Sequence, residues 1–257
     1  LSEGNVNIGI VGKYTSMIDA YKSLIEAINH GGLDNNVKIT IKWINSELIE
    51  DQNFNLTDFF KDINGIIVPG GFGERGSEGK INAIKYARLN NIPFFGICFG
   101  MQMAVIEFAR NVLKIKNAGS TEIDKSCFPI IGLINEWYKN GFTYKGSVKD
   151  LGGTMRLGSY PAKLGHNSLI KRIYKSSLIY ERHRHRYEVN SNLKNKFEKK
   201  GLIFSGMSPD NRLPEIIELK NHKWFIGVQF HPEFKSRPFQ PHPLFSSFIN
   251  AAKKHET

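Results

Sequence analysis

The sequence predicts an α/β fold, a doubly wound and mostly parallel sheet with flanking helices and extra antiparallel strands. Three observations lead to this prediction. Short apolar runs alternate with segments of helical spacing as far as residue 110. Glycine-rich turns follow two of those runs, at residues 70–73 and 96–100. Beyond residue 110 the segments become short and strand-like, with connections rich in Gly, Asn and Ser.

The elements of the first half follow from periodicity and from end signals. Strands are predicted over residues 6–11, 37–44, 65–68 and 93–97. Helices are predicted over residues 19–29, 56–61, 77–90 and 99–110. We expect Gly31 and Gly32 to end the first of these helices and Ser77 to cap the third.

The second half is predicted to contain six short strands and a terminal helix. The strands cover residues 129–134, 154–157, 178–189, 202–207, 215–219 and 224–229, and the helix covers 243–254. Some of these strands should extend the sheet, and others should form hairpins over the site. No repeat or low-complexity linker interrupts the chain, so we expect one domain over residues 1–257.

Composition narrows the classes of function. The net charge of +11, from 35 basic and 24 acidic residues, favours acidic partners, although lysines on solvated faces would give the same balance. The sequence has neither an apolar run of 18 residues nor a signal peptide, so no membrane partner is expected. Two cysteines form no disulfide framework, which favours a reducing, cytoplasmic setting. Because the chain begins at Leu1 rather than Met, we expect a piece of a longer protein.

Cys98 lies in the pattern Gly-x-Cys-x-Gly, between Gly96 and Gly100, where a predicted strand meets a predicted helix. At such a nucleophile elbow the turn is so sharp that glycine is needed on both sides. The amino end of the following helix favours a thiolate and can hold an oxyanion. The alternative is that Cys98 is a small buried hydrophobe, as we expect for Cys127, which has no flanking glycines.

A candidate base follows another predicted strand, in the segment Phe-His-Pro-Glu. His231 would lie at the same sheet edge as Cys98, and Glu233 could accept from its second ring nitrogen. That bond would fix the tautomer of the imidazole and stabilise the imidazolium. A structural histidine beside a surface carboxylate is the alternative, but three such residues at strand ends favour a catalytic triad.

The segment 181–188 alternates arginines with histidines. Strand periodicity places Arg182, Arg184 and Arg186 on one face, with His183 and His185 on the other. We expect one arginine to enter the site and hold a carboxylate. A two-histidine metal site, a nucleic-acid contact or a solvated strand would also fit; no metal and no nucleic acid are expected, since neither has further support.

Together these segments resemble the class I glutamine amidotransferases, and in detail the glutaminase domains of the CTP synthase family. The resemblance covers nearly the whole chain. It rests on the elbow, on Phe-His-Pro-Glu, and on five further segments, at residues 12–23, 69–80, 152–158, 181–190 and 231–238.

The resemblance implies hydrolysis of L-glutamine to glutamate and ammonia. Cys98 would form a γ-glutamyl thioester, His231 would transfer protons, and Glu233 would orient His231. The backbone amides of Gly71 and Phe99 would form the oxyanion hole. The remaining family positions for glutamine binding are Phe72, Gly100, Met101, Gln102, Glu122 and Arg186. Phe99 stands where the family usually has Leu, which could change the pocket width but keeps the backbone donor.

The resemblance also implies partners and effectors. Members of the family carry an amino-terminal synthetase domain that uses ATP and Mg²⁺ to aminate UTP, and no comparable phosphate loop occurs here. We therefore expect this chain to supply ammonia and not to make CTP alone. The family further implies GTP as an allosteric effector, no cofactor in this domain, and a homo-oligomer, a tetramer, at full length.

Two other functions remain open from the residues alone. A free-standing γ-glutamyl hydrolase or cysteine peptidase shares the elbow and the base, although Arg186 and Glu122 suit the charged α-groups of free glutamine. A non-catalytic regulatory or nucleic-acid-binding module would keep the fold, but the complete set of Cys98, His231 and Glu233 argues against it.

Overall fold

The computed structural model describes residues 4–13, 18–51, 55–133 and 155–255. Its helices are α1 (Lys22–Asp34), α2 (Leu56–Phe60), α3 (Ser77–Leu89), α4 (Phe99–Asn111), α5 (Leu169–Tyr174), α6 (Lys194–Lys199) and α7 (Pro243–Lys253). Its strands are β1 (Asn5–Gly12), β2 (Lys38–Asn45), β3 (Gly65–Val68), β4 (Phe94–Ile97), β5 (Ala118–Ser120), β6 (Phe128–Gly132), β7 (Arg156–Leu164), β8 (Leu178–His185), β9 (Glu188–Val189), β10 (Leu202–Met207), β11 (Pro214–Leu219) and β12 (Phe225–Val228).

The predicted α/β fold class is confirmed. A nine-stranded sheet has the order β2-β1-β3-β4-β12-β11-β10-β7-β8, and β5, β6 and β9 form a second, small sheet. Along this order, the first five strands, β2 to β12, pair in parallel. The remaining four, β11, β10, β7 and β8, extend the sheet with antiparallel pairing.

The pairing of β4 with β12 positions the site. These strands are separated by more than a hundred residues, yet they run in parallel from Phe94 opposite Phe225 to Ile97 opposite Val228. Because they are neighbours in register, the residues that follow them emerge at the same edge. The chain therefore brings its elbow and its Phe-His-Pro-Glu segment together.

Apolar side chains cover both faces of the sheet. The central strands β3, β4 and β12 are buried along their whole length, as expected for parallel strands with helices on both sides. Helices α3 and α4 pack on one face, and α1 and α7 pack on the other. Within the described residues, none of the helices is long and apolar enough to span a membrane.

Two helix-end predictions were wrong. Helix α1 continues through Gly31 and Gly32. A Cβ on Gly31 would lie 2.9 Å from the Phe245 carbonyl oxygen, and one on Gly32 would lie 2.6 Å from Ile39, so neither position has room for a larger side chain. These glycines permit close packing rather than ending the helix. Ser77 does not cap α3; it is the first helical residue, and Gly76, with φ of 74°, holds the cap position.

Other differences lie in the second half. The strand predicted over 178–189 is split, with β8 in the large sheet and β9 in the small one. The strand β5 and the six-residue helices α5 and α6 are absent from the sequence-based prediction, since such short elements show too little periodicity. Residues 134 and 154 of two predicted strands, and 14–17 and 152–153 of the family segments, lie outside the described residues.

Candidate active site

Cys98 occupies a strained elbow between β4 and α4. Its φ of 52° and ψ of −102° are rare for a residue with a side chain. Close packing around the turn requires its glycines, since a Cβ on Gly100 would lie 1.9 Å from the Val68 carbonyl oxygen and one on Gly96 would lie 2.8 Å from Gly100. The amide of Cys98 donates to the Val228 carbonyl over 2.7 Å, which ties the elbow to β12.

His231 and Glu233 complete the arrangement predicted from the sequence. His231 Nδ1 lies 2.7 Å from Glu233 Oε1, and its backbone amide donates to the Arg182 carbonyl over 2.7 Å. Burial alone would lower the pKa of His231. Hydrogen bonds and negative charge from Cys98 and Glu233 outweigh that effect and raise the pKa to about 10. These contacts therefore favour the imidazolium form of His231.

A cleft of about 540 Å³ opens over the sulfur atom. Its lining brings together seven of the predicted site residues, Gly71, Phe72, Cys98, Gln102, Glu122, Arg186 and His231. Gly70 also lines it, and a Cβ on Gly70 would lie 2.8 Å from His231 Cε1. The glycine-rich turn after β3 therefore lets the chain pass directly beside the imidazole.

Polar groups of opposite character face this cleft. Glu122 follows β5 and accepts from the Gly73 amide over 3.2 Å. Burial raises the pKa of Glu122, while the Gly73 bond and the Lys13 charge oppose the rise. Arg184 and Arg186, both exposed, line the same cleft, so two arginines are present where the sequence predicts one. A carboxylate and guanidinium groups are thus available for a zwitterionic ligand.

His183 and His185 do not form the metal pair considered from the sequence. His183 Nδ1 lies 2.9 Å from His185 Nε2, and His185 Nδ1 lies 3.2 Å from the Tyr187 carbonyl oxygen. Burial, aided by the Arg156 charge, lowers the pKa of His183 to about 2 and that of His185 to about 3. Both rings are therefore neutral, and among the described residues no cluster could hold a metal ion.

Three predicted binding residues lie under the cleft rather than in its lining. Phe99, Gly100 and Met101 form the first turn of α4, and the side chains of Phe99 and Met101 are buried. The Phe99 ring lies below Gly71, with Lys80 Nζ 5.2 Å from its centroid. The exchange of Leu for Phe at this position thus affects the core. Only backbone amides of this turn can serve a ligand, since the first turn of a helix leaves its N–H groups without helical partners.

Sequence reasoning missed a buried ionic cluster behind the arginines. Arg156 pairs with Glu188 over 3.1 Å and with Glu215 over 2.8 Å, and His183 Nε2 lies 3.7 Å from Glu215 Oε2. Burial raises the pKa of Glu188 to about 8 and also raises that of Glu215. Glutamates within apolar strands were the available signal, because such residues are rarely buried without a partner.

Gln229 was also missed as a site residue. Its side chain is fully buried, and its Nε2 lies 3.7 Å from Cys98 Sγ. The sequence had placed it in an apolar strand, without a role. The available signal was a glutamine at the end of an apolar strand, two residues before His231.

Comparisons with known proteins identify the family of the chain. Residues 16–251 match the family described as "Glutamine amidotransferase class-I". Curated relatives include the CTP synthase of Pelagibacter ubique, 68% identical over 98% of this chain, and that of Rhodopseudomonas palustris strain BisA53, 59% identical over 97%. The chain spans 46% of each of these relatives, which is about half their length.

Solved structures give the same result. The Trypanosoma brucei CTPS glutaminase domain with bound acivicin is 36% identical, with a TM-score of 0.88 over 98% of this chain and 95% of that one. A glutamine amidotransferase of Thermotoga maritima shares the fold, at 11% identity and a TM-score of 0.52 over 97% of this chain and 96% of that one. The chain therefore belongs to the class I glutamine amidotransferases, among the glutaminase domains of CTP synthases.

Proposed function

We propose that this chain hydrolyses L-glutamine to glutamate and ammonia, and that the ammonia aminates UTP in a synthetase domain of the same protein. The observation that carries the proposal is the contact of Cys98 with an imidazole whose other nitrogen lies 2.7 Å from Glu233. This arrangement supplies a nucleophile, a proton carrier and an orienting carboxylate in one cleft.

The reaction begins when the Cys98 sulfur attacks the side-chain amide carbon of glutamine. The developing oxyanion would accept from the backbone amides of Gly71 and Phe99. The C–N bond breaks as His231 gives its proton to the leaving nitrogen, which departs as ammonia. A γ-glutamyl thioester remains on Cys98.

Water then completes the cycle. His231, now neutral, takes a proton from the water that attacks the thioester carbon. The C–S bond breaks, its electron pair returns to the sulfur, and glutamate leaves. Throughout both steps Glu233 holds the imidazole in one tautomer and stabilises its charged form.

Opposite charges in the lining of the cleft suit the α-groups of free glutamine. Arg186 would hold the α-carboxylate, and Glu122 the α-ammonium group, while Phe72, 64% exposed at the mouth of the cleft, would cover the substrate. Gln102, fixed by its bond to the Tyr187 carbonyl, would contact the amide end. The first-turn amides of Gly100 and Met101 would add to the positive end of α4.

The regulatory part of the proposal concerns the whole protein. Since the curated relatives are about twice as long, a synthetase domain that uses ATP and Mg²⁺ would lie outside residues 1–257, and full-length chains would form a tetramer. GTP would promote glutamine hydrolysis in concert with that domain. This domain itself would need no cofactor.

Ammonia release is the direct test. Activity should be measured for this chain alone, and with a separately produced synthetase half of the Pelagibacter ubique enzyme, with and without GTP. We expect glutamine turnover that rises with both additions, and no turnover of γ-glutamyl peptides. Turnover of the peptides but not of glutamine would overturn the proposal in favour of a γ-glutamyl hydrolase.

Covalent labelling gives a second, independent test. A glutamine analogue with an electrophilic side chain should give one adduct, located on Cys98 by mass spectrometry. An adduct on Cys127 in place of Cys98, with the synthetase half present, would contradict the assigned nucleophile.

A further inference from the structure

The amide of Gln229 lies against the nucleophile and within a closed set of polar contacts. Its Nε2 is 3.7 Å from Cys98 Sγ, and its Oε1 is 3.2 Å from Gln102 Nε2. Gln229 is fully buried, and Gln102 is 3% exposed. Gln229 directly follows the buried apolar strand β12, where a glutamine is costly unless its amide is satisfied.

The direction of each bond in this set follows from the chemistry of its groups. The Tyr187 carbonyl can only accept, so the group of Gln102 that lies 3.0 Å from it must be the amide NH₂. The second hydrogen of that NH₂ then points to Gln229, whose facing atom must be its carbonyl oxygen. The NH₂ of Gln229 is consequently left to face the sulfur of Cys98.

The Tyr187 carbonyl is itself anchored by the histidine pair. His185 Nδ1 lies 3.2 Å from this oxygen and must donate, so His185 Nε2 is an acceptor for His183 Nδ1 at 2.9 Å. The backbone of Gln229 is also tied, since its amide donates to the Glu215 carbonyl over 2.9 Å. The backbone and the side-chain amide of Gln229 are therefore both held by hydrogen bonds.

We propose that Gln229 is a further catalytic residue, one that donates a hydrogen bond to the Cys98 sulfur and stabilises its thiolate form. This inference rests on the proposed function. In the first step the bond holds the sulfur in place as a nucleophile. In the second step, when the C–S bond breaks and its electron pair returns to sulfur, the same N–H stabilises the departing thiolate. Gln102 and the histidine pair act as positioning residues that keep the NH₂ turned toward the sulfur.

The alternative is that Gln229 only satisfies its own buried polar atoms. Alkylation of Cys98 by iodoacetamide separates the two, because its rate follows the thiolate fraction and does not depend on glutamine turnover. The rate would be measured against pH for the wild type, for Gln229→Glu, which keeps the shape and loses the donor, and for Gln229→Met, which is apolar and of similar volume. Gln240→Glu is the matched control, since it makes the same change at an exposed residue.

We expect both Gln229 variants to move the alkylation midpoint to higher pH, and to lower the rate at neutral pH by about 10- to 100-fold, as for a lost hydrogen bond to a charged group. Gln240→Glu should match the wild type. A folded Gln229→Met with a wild-type pH profile would overturn the inference. A wild type whose Cys98 is unreactive at neutral pH would instead count against the proposed function.

A measurement without any Gln229 variant covers the case in which both variants misfold. The side-chain ¹⁵N–¹H resonances of Gln229 should shift when Cys98 is replaced in Cys98→Ala, while those of Gln240 should not. An unchanged Gln229 resonance would show that its NH₂ is not bonded to sulfur, and the inference would be lost.

Discussion

The two walls of the cleft are built in different ways. The strand-end wall is formed by Cys98 and His231, which follow two parallel strands. Backbone bonds to Val228 and Arg182 hold these two residues in place, and Glu233 contacts the His231 ring without lining the cleft. The β8 wall, residues 184–187, lies at the edge of the sheet and is backed by the ionic cluster of Arg156, Glu188 and Glu215. Backbone hydrogen bonds position the first wall, whereas the second is supported by paired, buried side chains.

The walls also differ in how they hold protons. In the strand-end wall, contact with Cys98 and Glu233 outweighs burial and raises the pKa of His231 to about 10. In the β8 wall, burial lowers the pKa of His183 to about 2 and that of His185 to about 3. The same residue type is thus held in its charged form beside Cys98 and in its neutral form in the β8 wall.

The strongest effect is expected in the strand-end wall. Cys98→Ala removes the only thiol that lines the cleft in the described part of the chain, so no thioester can form. Ammonia release from glutamine should fall by at least about 10⁴-fold, as for loss of a covalent nucleophile. Cys127→Ala is the matched control and should retain wild-type turnover, since Cys127 lies outside this cleft. Comparable losses in both variants would contradict the division of roles between the cysteines.

The second effect tests whether the β8 wall depends on its buried pairs. Arg156→Met leaves Glu188 and Glu215 without their cation in a buried site. We expect the free energy of unfolding to fall by about 3–5 kcal/mol, the cost of breaking a buried ion pair from one side. Urea unfolding would measure the change.

An exposed pair provides the control for that measurement. Arg75→Met breaks a contact with Glu47 in which the arginine side chain is 58% exposed. Its cost should stay below about 1 kcal/mol. Equal costs at the two sites would mean that the buried cluster contributes nothing special to the β8 wall.

A smaller effect concerns substrate binding at the β8 wall. Arg186→Leu removes a cation from the cleft without touching the triad, so KM for glutamine should rise by about 10- to 100-fold, with a smaller change in kcat. Arg172→Leu, an exposed position on α5, should leave both constants unchanged. A fall in kcat with constant KM would indicate that Arg186 acts in the chemical step and not in binding.

Sequence reasoning predicted the arrangement of side chains where it depends on local backbone. A glycine on each side of Cys98 and the segment around His231 identified the strand-end wall, because the elbow geometry excludes most other residues there. It failed where long-range packing decides. Gly31 and Gly32 resemble helix breakers in sequence, yet Phe245 and Ile39 pack against them. The pairing of Arg156 with Glu215 joins residues 59 positions apart and leaves no periodic signal.

The smallest expected effect concerns how the free energy of unfolding changes with pH in acid. In the unfolded chain His183 and His185 take up protons below their ordinary pKa of 6.5, whereas in the folded protein they stay neutral until about pH 3 or below. Because their folded-state pKa values are depressed, these histidines allow full stability above pH 6.5. As the pH falls below 6.5 the unfolded chain binds more protons than the folded protein, and the free energy of unfolding decreases. Glu188 and Glu215 have raised pKa values and act in the opposite sense above their ordinary pKa of 4.5. The histidine effect should therefore emerge below about pH 4.5.

His185→Asn isolates that effect. One buried histidine lowers the free energy of unfolding by about 1.4 kcal/mol for each pH unit that the pH falls between pH 4.5 and 3, because one extra proton is bound on unfolding. The variant should lose stability less steeply over this interval by that amount, as measured by urea unfolding at half-unit steps. His166→Asn, at a residue exposed to solvent, should keep the wild-type slope. If His185→Asn keeps it as well, His185 is already protonated in the folded protein. In that case His185 Nε2 could not accept a hydrogen bond from His183, and the chain of neutral histidines that ends at the Tyr187 carbonyl would not exist.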